Sequence, residues 1–438
     1  MMKMTYKGLA KKLLEKFKVG IWDDVQVCLD DGSIISAIIL PGPETDRYIY
    51  LKLRNGYNVA YAVTRIKSIK KLGSISPKYT LPKMKVEKKK NLPPIALIHC
   101  GGTIASRVEY ATGAVAPAFS PEELSHAIPE IFEIANISFV ELFNIFSENM
   151  RPHHWIEIAK RTAREFENGA KGVIITHGTD TMHFTSAALA FMLENLPGSV
   201  VLTGAMRSSD RPASDAATNI IASIRFAFSA DIGESVIVMH GTPSDTLFYV
   251  HRGVRCIKLH SSRRDAFKSI GIGPLAVIDE GGCRVLAERY LKRRAQNELR
   301  VHPFFEEKTA LLFLYPGIQP ETIDFLVDRG FRGIVLAGTG LGHAPEYIMG
   351  SIERAIDEGV IVVMTTQCLW GGVFMNVYEN GRKLLKLGVI PAHTMLPHVA
   401  YVKLGWLLGQ DIPNNEVRRL FMENLRLEFV EKEPISAF

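Results

Sequence analysis

Residues 95–106 read IALIHCGGTIAS. A continuous apolar run stops at Gly101-Gly102, offers a hydroxyl at Thr103 and returns to small residues. An unbroken run of this kind suits a strand buried on both faces of a parallel sheet. The two glycines admit two readings: a tight strand-to-helix turn, or a bare backbone that lets a substrate approach Thr103. Working outward, strand-like runs recur as GVIITHG (172–178), SVVLTG (199–204), SVIVMHG (235–241), TALLFLYPG (309–317), GIVLAGTG (333–340) and GVIVVMTT (359–366). Helices fall between them. SPEELSHAI (120–128) has Ser120 as N-cap, Pro121 at the first position and Glu123 closing a capping box. Phe184, Ala187, Ala188, Phe191 and Met192 make one apolar helix face. Strand, turn and helix in repetition predict an α/β fold. A charged, irregular stretch near 289–308 divides it into two parallel-sheet domains, 94–295 and 308–438.

Upstream the style changes. Residues 1–18 predict an amphipathic helix with Tyr6, Leu9, Ala10, Leu13 and Phe17 on one face. DDVQVCLDDGSIISAIIL (23–40) and RYIYLKLRNGYNVAYAV (47–63) each place two β-rich runs around a hairpin dipeptide, Asp31-Gly32 and Asn55-Gly56. Short strands at this density predict a small β-barrel of the SH3 or Sm kind within residues 1–84. A Pro- and Lys-rich segment ends in a linker at 85–93.

The chain has 438 residues, too many for one ordinary core. No apolar run approaches the ~18 residues that cross a bilayer, and the lysine-rich start has no apolar signal region. The five cysteines are scattered and form no CxxC pair, which predicts a reducing cytoplasm and no structural zinc. A net charge of +6 permits contact with nucleic acid without requiring it.

Ligands of open parallel sheets gather beyond the carboxyl ends of the strands. There the sequence delivers Gly101-Gly102-Thr103, then THGTDT with Thr179 and Asp180, then TGAMRSSDRP, HGTPSD and AGTGLGH. A hydroxyl needs a base to become a nucleophile. Asp180 with a desolvated lysine supplies a proton relay, and main-chain amides at Gly101-Gly102 suit a developing oxyanion. Spacing alone leaves an amidase or esterase and plain turn chemistry both open. AGTGLG (337–342) lacks the acidic residue that a ribose needs after the next strand, which excludes nicotinamide binding. There is no P-loop, no HExxH and no metal-ligand spacing, so the expected metal set is empty.

GGTIAS, HGTDTM, YATGAV, TGAMRSSDRPASDAATNI, KLHSSRRDAFKS, GTGLGH and VYENGRKLLKLGVI, spread over roughly 94–410, resemble the L-asparaginase family of Thr-dependent amidohydrolases. The resemblance implies that Thr103 is the nucleophile of an acyl-enzyme and that Tyr110 closes over it. It implies that Thr179, Asp180 and Lys258 form a hydroxyl–carboxylate–amine set activating either threonine or water. Ser147 would bind the substrate α-carboxylate with Glu148 beside it, Asp180 the α-ammonium, and Gly102 would complete the substrate-binding set. Two departures stand out: Glu148-Asn149 where Gln and Asp are usual, and His398 where Glu is common. The added N-terminal module and HRGVRCIKLHSSRRDAF (251–267) resemble the D subunits of archaeal-type glutamyl-tRNA(Gln) amidotransferases. That resemblance implies ammonia release from glutamine or asparagine for an E subunit. The E subunit would bind ATP and Mg²⁺, with tRNA(Gln) held through the complex, no cofactor on this chain and a homodimer core. The alternatives are a free-standing L-asparaginase with an accessory domain and a catalytically silent RNA-docking scaffold.

Overall fold

The structure is a computed structural model and describes residues 6–41, 46–55, 57–74, 89–102, 106–108, 115–117, 128–207 and 213–434. The helix expected at 120–128 therefore lies outside the described residues apart from Ile128. The described residues fall into two compact units, one within Met1–Met84 and Ser106–Ala118, the other within Lys85–Ala105 and Phe119–Phe438.

The first unit holds a helix, Gly8–Lys16, and strands β1 (Asp23–Leu29), β2 (Ile34–Ile39), β3 (Tyr48–Leu53), β4 (Asn58–Ala62) and β5 (Ile66–Ser74). They form one antiparallel sheet in the order β4-β3-β2-β1-β5. Burial alternates along β1, with Val25, Val27 and Leu29 inward, as a half-buried strand requires. The β1–β2 turn places Gly32 at φ +85, and Leu29 N–H donates to Ser33 O at 2.9 Å. The helix presents the expected face except at Leu9: Tyr6 and Ala10 are buried and Leu13 and Phe17 pack against the same core, joined by Leu14, whereas Leu9 is 57% exposed. Tyr6 anchors the segment: its hydroxyl donates to Leu40 O at 2.6 Å and accepts from Tyr50 N–H at 3.0 Å. Strands β7 (Ser106–Val108) and β8 (Val115–Pro117) pair antiparallel.

The second unit is built on an eight-stranded sheet, β18-β17-β14-β13-β12-β10-β6-β9. Its parallel part is β9 (Asn136–Ile145), β6 (Pro94–Gly101), β10 (Gly172–Thr176), β12 (Val200–Thr203) and β13 (Ser235–His240). β14 (Phe248–Arg252), β17 (Ala276–Asp279) and β18 (Gly282–Val285) then run antiparallel. The sheet is thus mixed, which corrects the expectation of two parallel sheets. Residues 241–247 are too short to hold the crossover that a parallel partner of β13 would need. The second sheet, β20 (Thr309–Phe313), β21 (Gly333–Gly338), β22 (Ile361–Thr366) and β23 (Ile390–Pro391), is parallel throughout. Two small pairs complete the unit: β15 (Cys256–Lys258) with β16 (Phe267–Ser269), and β11 (Leu193–Glu194) with β19 (Arg300–Val301). The helix Met182–Met192 is buried on all sides rather than on one face, because helix Pro397–Leu408 covers it; Phe191 and Trp406 stack at 5.6 Å. Among the described residues no helix is long and apolar enough to cross a membrane.

Lys403 on that covering helix is fully buried and donates to Phe421 O at 2.9 Å, Glu423 O at 2.5 Å and Glu428 Oε1 at 2.5 Å. Glu428 also accepts from the main-chain N–H of Leu425 and Arg426. Removing one charge strands the other. Lys403→Met is expected to cost about 3–5 kcal/mol, and adding Glu428→Gln to recover most of it. Urea titrations of the single and double variants test this; equal loss in both would show that packing, not charge, dominates.

Candidate functional site

Gly101 and Gly102 have φ of +101 and +86, the region that favours glycine. A Cβ on Gly101 would lie 2.2 Å from Ile145 O, and one on Gly102 would lie 2.4 Å from Gly178 N. The two glycines therefore let β6 end against two neighbouring strand ends at once. Ile145 closes β9, and Ser147 follows two residues later, buried. Gly178 follows β10 and leads directly into Thr179 and Asp180. A Cβ on Gly178 would lie 2.8 Å from Ser147 Oγ, and Thr181 Oγ1 donates to Ser147 O at 2.7 Å. Three strand ends thus meet backbone to backbone. Gly102→Ala is expected to lower kcat/KM by about 10²-fold through displacement of these ends; wild-type activity in a folded variant would show that the contact is unimportant.

Lys258, the last residue of β15, brings the amine. Its Nζ donates to Thr179 Oγ1 at 2.8 Å and to Asp180 Oδ1 at 2.8 Å. The Lys258 side chain is 8% exposed and that of Asp180 68%, so a dry amine is held by a carboxylate that faces solvent. Hydroxyl, amine and carboxylate thus form one hydrogen-bonded chain with the amine in the middle, along which a proton can pass. Thr179, Asp180, Lys258, Ser147 and Gly102 are brought together in this way, whereas Glu148 is exposed. Thr103 and Tyr110 lie outside the described residues.

Other groups shape the site without standing out in the sequence. His177 lies beneath Gly178. Its Nδ1 faces Gly178 O at 2.7 Å and its Nε2 faces Thr185 Oγ1 at 2.9 Å; burial pushes its pKa down to about 4. His183 is also pushed down to about 4, first by burial and then by the charge of Lys258. Its ring meets that of His398 edge-on at 4.7 Å, and burial holds His398 well below the ordinary imidazole range. The neutral His183 ring therefore adds no charge of its own beside Lys258. Gly204 closes the other side: a Cβ there would lie 2.9 Å from Thr179 Cγ2 and 2.6 Å from His177 O. The sequence signal for this support is present in SDAATN, where Asp215 and Asn219 stand four apart on one helix face.

Comparison with known proteins gives the site its family. Residues 94–290 match the model for the asparaginase N-terminal domain, and residues 308–421 that for the glutaminase/asparaginase C-terminal domain. The chain is 49% identical over 421 residues to the D subunit of glutamyl-tRNA(Gln) amidotransferase from Pyrococcus furiosus, covering 94% of this chain and 96% of that protein. This chain belongs to the family of glutamyl-tRNA(Gln) amidotransferase D subunits. The D subunit from Methanopyrus kandleri is 47% identical, covering 99% of this chain and 96% of that protein. Among solved structures, the thermostable L-asparaginase from Thermococcus kodakarensis matches with a TM-score of 0.68 and 32% identity, covering 77% of this chain and 100% of that one. L-asparaginase I from Vibrio cholerae matches with a TM-score of 0.67 and 28% identity, covering 77% of this chain and 99% of that one. The second unit accordingly has an asparaginase-like fold.

Proposed function

We propose that this chain is the glutaminase subunit of a tRNA-dependent amidotransferase: it releases ammonia from glutamine or asparagine so that glutamyl-tRNA(Gln) can be amidated. One observation carries the reading. The D subunits align over 94–99% of the chain, while the L-asparaginases leave nearly a quarter of it without a counterpart. The extra part is the N-terminal module, outside both family models. It serves the complex as a small barrel of the SH3 or Sm kind, with domains at 1–84, 94–295 and 308–438 and a linker at 85–93.

In this reading Thr103 Oγ attacks the side-chain amide carbon and its proton leaves through the base set. The C–N bond breaks, a proton reaches the departing nitrogen, and ammonia is released, leaving an ester on Thr103. Tyr110 polarises Thr103. Thr179, Lys258 and Asp180 then take a proton from water, which hydrolyses the ester. Main-chain amides at Gly102 hold the oxyanion. Ser147 and Glu148 lie on the α-carboxylate side and Asp180 binds the α-ammonium. The Lys258 bonds to Thr179 and Asp180 support the proton path. ATP and Mg²⁺ belong to the E subunit, tRNA(Gln) is held by the complex, the core is a homodimer, and the setting is the cytoplasm.

The test is ammonia release from glutamine with and without an E-type subunit and glutamyl-tRNA(Gln). Release that rises with both is expected. Full release indifferent to both would favour a free-standing asparaginase.

A further inference from the structure

Behind the site runs a chain of buried polar side chains that the proton path does not use. Asp215, Asn219 and the His240 ring are fully buried. Asp215 precedes helix Ala216–Ser229 but does not cap it; its carboxylate accepts from the main-chain N–H of Met206 at 3.0 Å and Arg207 at 2.9 Å. Asn219 Nδ2 donates to Gly204 O at 2.9 Å and to Asp215 Oδ2 at 3.2 Å. Both partners accept only, so the Asn219 amide nitrogen must face them and its oxygen must face away. That oxygen meets His240 Nδ1 at 2.7 Å. The other ring nitrogen, Nε2, meets Asp245 Oδ1 at 2.8 Å. The hydrogen bond from His240 and the nearby Arg264 hold the Asp245 carboxyl below its ordinary range, so this partner also accepts. Both nitrogens of His240 face acceptors, and each must carry a hydrogen. His177 contrasts with it: its Nδ1 donates to a carbonyl and its Nε2 accepts from a hydroxyl, as a neutral ring does.

The two ends of the chain reach the two partners of the site. At one end Asn219 holds Gly204, which packs on the Thr179 methyl. At the other, Arg264 binds Asp245 Oδ1 at 2.9 Å and also Ala213 O. Arg264 lies in the turn between β15, which ends at Lys258, and β16. We propose that His240 is a positioning residue, an imidazole donating from both nitrogens, whose bonds to Asn219 and Asp245 hold Thr179 and the turn after Lys258 in register. The inference rests on the proposed role of Thr179 and Lys258.

Facing His240 are Asn219 from its helix, with Asp215 behind it, Asp245 from the loop after β13, with Arg264 behind it, and Phe248 of β14, whose ring lies 4.6 Å away.

The experiment uses the full chain labelled with ¹⁵N-histidine, and ammonia release from glutamine or asparagine. Wild type is expected to show a hydrogen on both His240 ring nitrogens. Asp245→Asn, a change at a half-exposed position, is expected to leave His240 with a hydrogen on only one ring nitrogen. It should lower kcat about tenfold with KM nearly unchanged, and Asp245→Glu should restore much of the loss. His240→Gln should lower kcat with KM nearly unchanged. A single ring N–H on His240 in wild type, or a wild-type kcat in Asp245→Asn, overturns the proposal. Lys258→Met separates the two readings: if it remains active, the catalytic assignment fails, while the protonation of His240 is still read from the spectrum.

Discussion

Lys258→Met is expected to lower kcat for ammonia release by about 10³-fold or more, with KM changed far less. Methionine is close to lysine in length but offers no proton. Thr179 Oγ1 then loses its 2.8 Å contact to an amine, and Asp180, already open to solvent, loses the cation that held it beside Thr179. A positioned proton carrier contributes about 10²–10⁴-fold by itself. The larger part is expected here because hydroxyl and carboxylate depend on the same nitrogen. The change should not unfold the chain, since the lysine head forms one ion pair, with a carboxylate that is 68% exposed. Steady-state kinetics with a thermal melt of each variant test this. Retention of more than a tenth of the wild-type kcat in a folded Lys258→Met would remove Lys258 from the chemistry. Thr179→Ala should fall with it, and the pair Thr179→Ala/Lys258→Met should be little worse than either, because residues acting as a unit are not additive.

What is legible beforehand follows the range over which each cause acts. The seven apolar runs are local signals, and all seven appear as β6, β10, β12, β13, β20, β21 and β22. The doublet Gly101-Gly102 reads as a bare turn, but its two neighbours, Ile145 and Gly178, are distant in sequence. Strand β9 escapes such a reading because it is half-buried along its length and shows no continuous apolar run. β14 and β17 escape it because the hairpin that reverses the sheet has no Gly-Asn type turn to mark it. The helix near the N-terminus is legible in its face through Tyr6, Ala10, Leu13 and Phe17, and only Leu9 at the margin of that face falls outside the core. Lys258 is identifiable through its surrounding sequence rather than its chemistry. Its 8% exposure is produced by the β15–β16 pair, whose three-residue strands carry little pattern of their own. His183 and His240 stay silent for a related reason: a lone polar residue has no spacing to read until the fold gives it partners.

Acid is expected to unfold the second unit well above the carboxylate range. His99, His177 and His183 are pushed down to about 4, and His251 to about 3, by burial in each case. In the unfolded chain each returns to about 6.5. Between those values the unfolded state binds a proton that the native state does not, so stability rises with pH across this window and is lost as pH falls through it. Each ring contributes ~1.4 kcal/mol per pH unit there. Four together would remove an ordinary stability of about 5–15 kcal/mol within roughly two to three units below pH 6.5. Depressed carboxylates such as Asp265 and Asp279 act in the same direction, but only below their ordinary value of 3.8, so the windows separate. Urea midpoints between about pH 7.5 and 4.5, followed by the fluorescence of the buried Trp155 and Trp406, measure the slope. His251→Gln is the discriminating variant. It removes one titrating ring that bonds to Ser269 rather than to Lys258 or Thr179, and whatever it costs in packing displaces the curve without tilting it. A slope reduced by about one ring's worth, ~1.4 kcal/mol per unit, is expected. A flat profile down to about pH 5 in wild type would mean that the buried rings take up protons without unfolding, and that water reaches them.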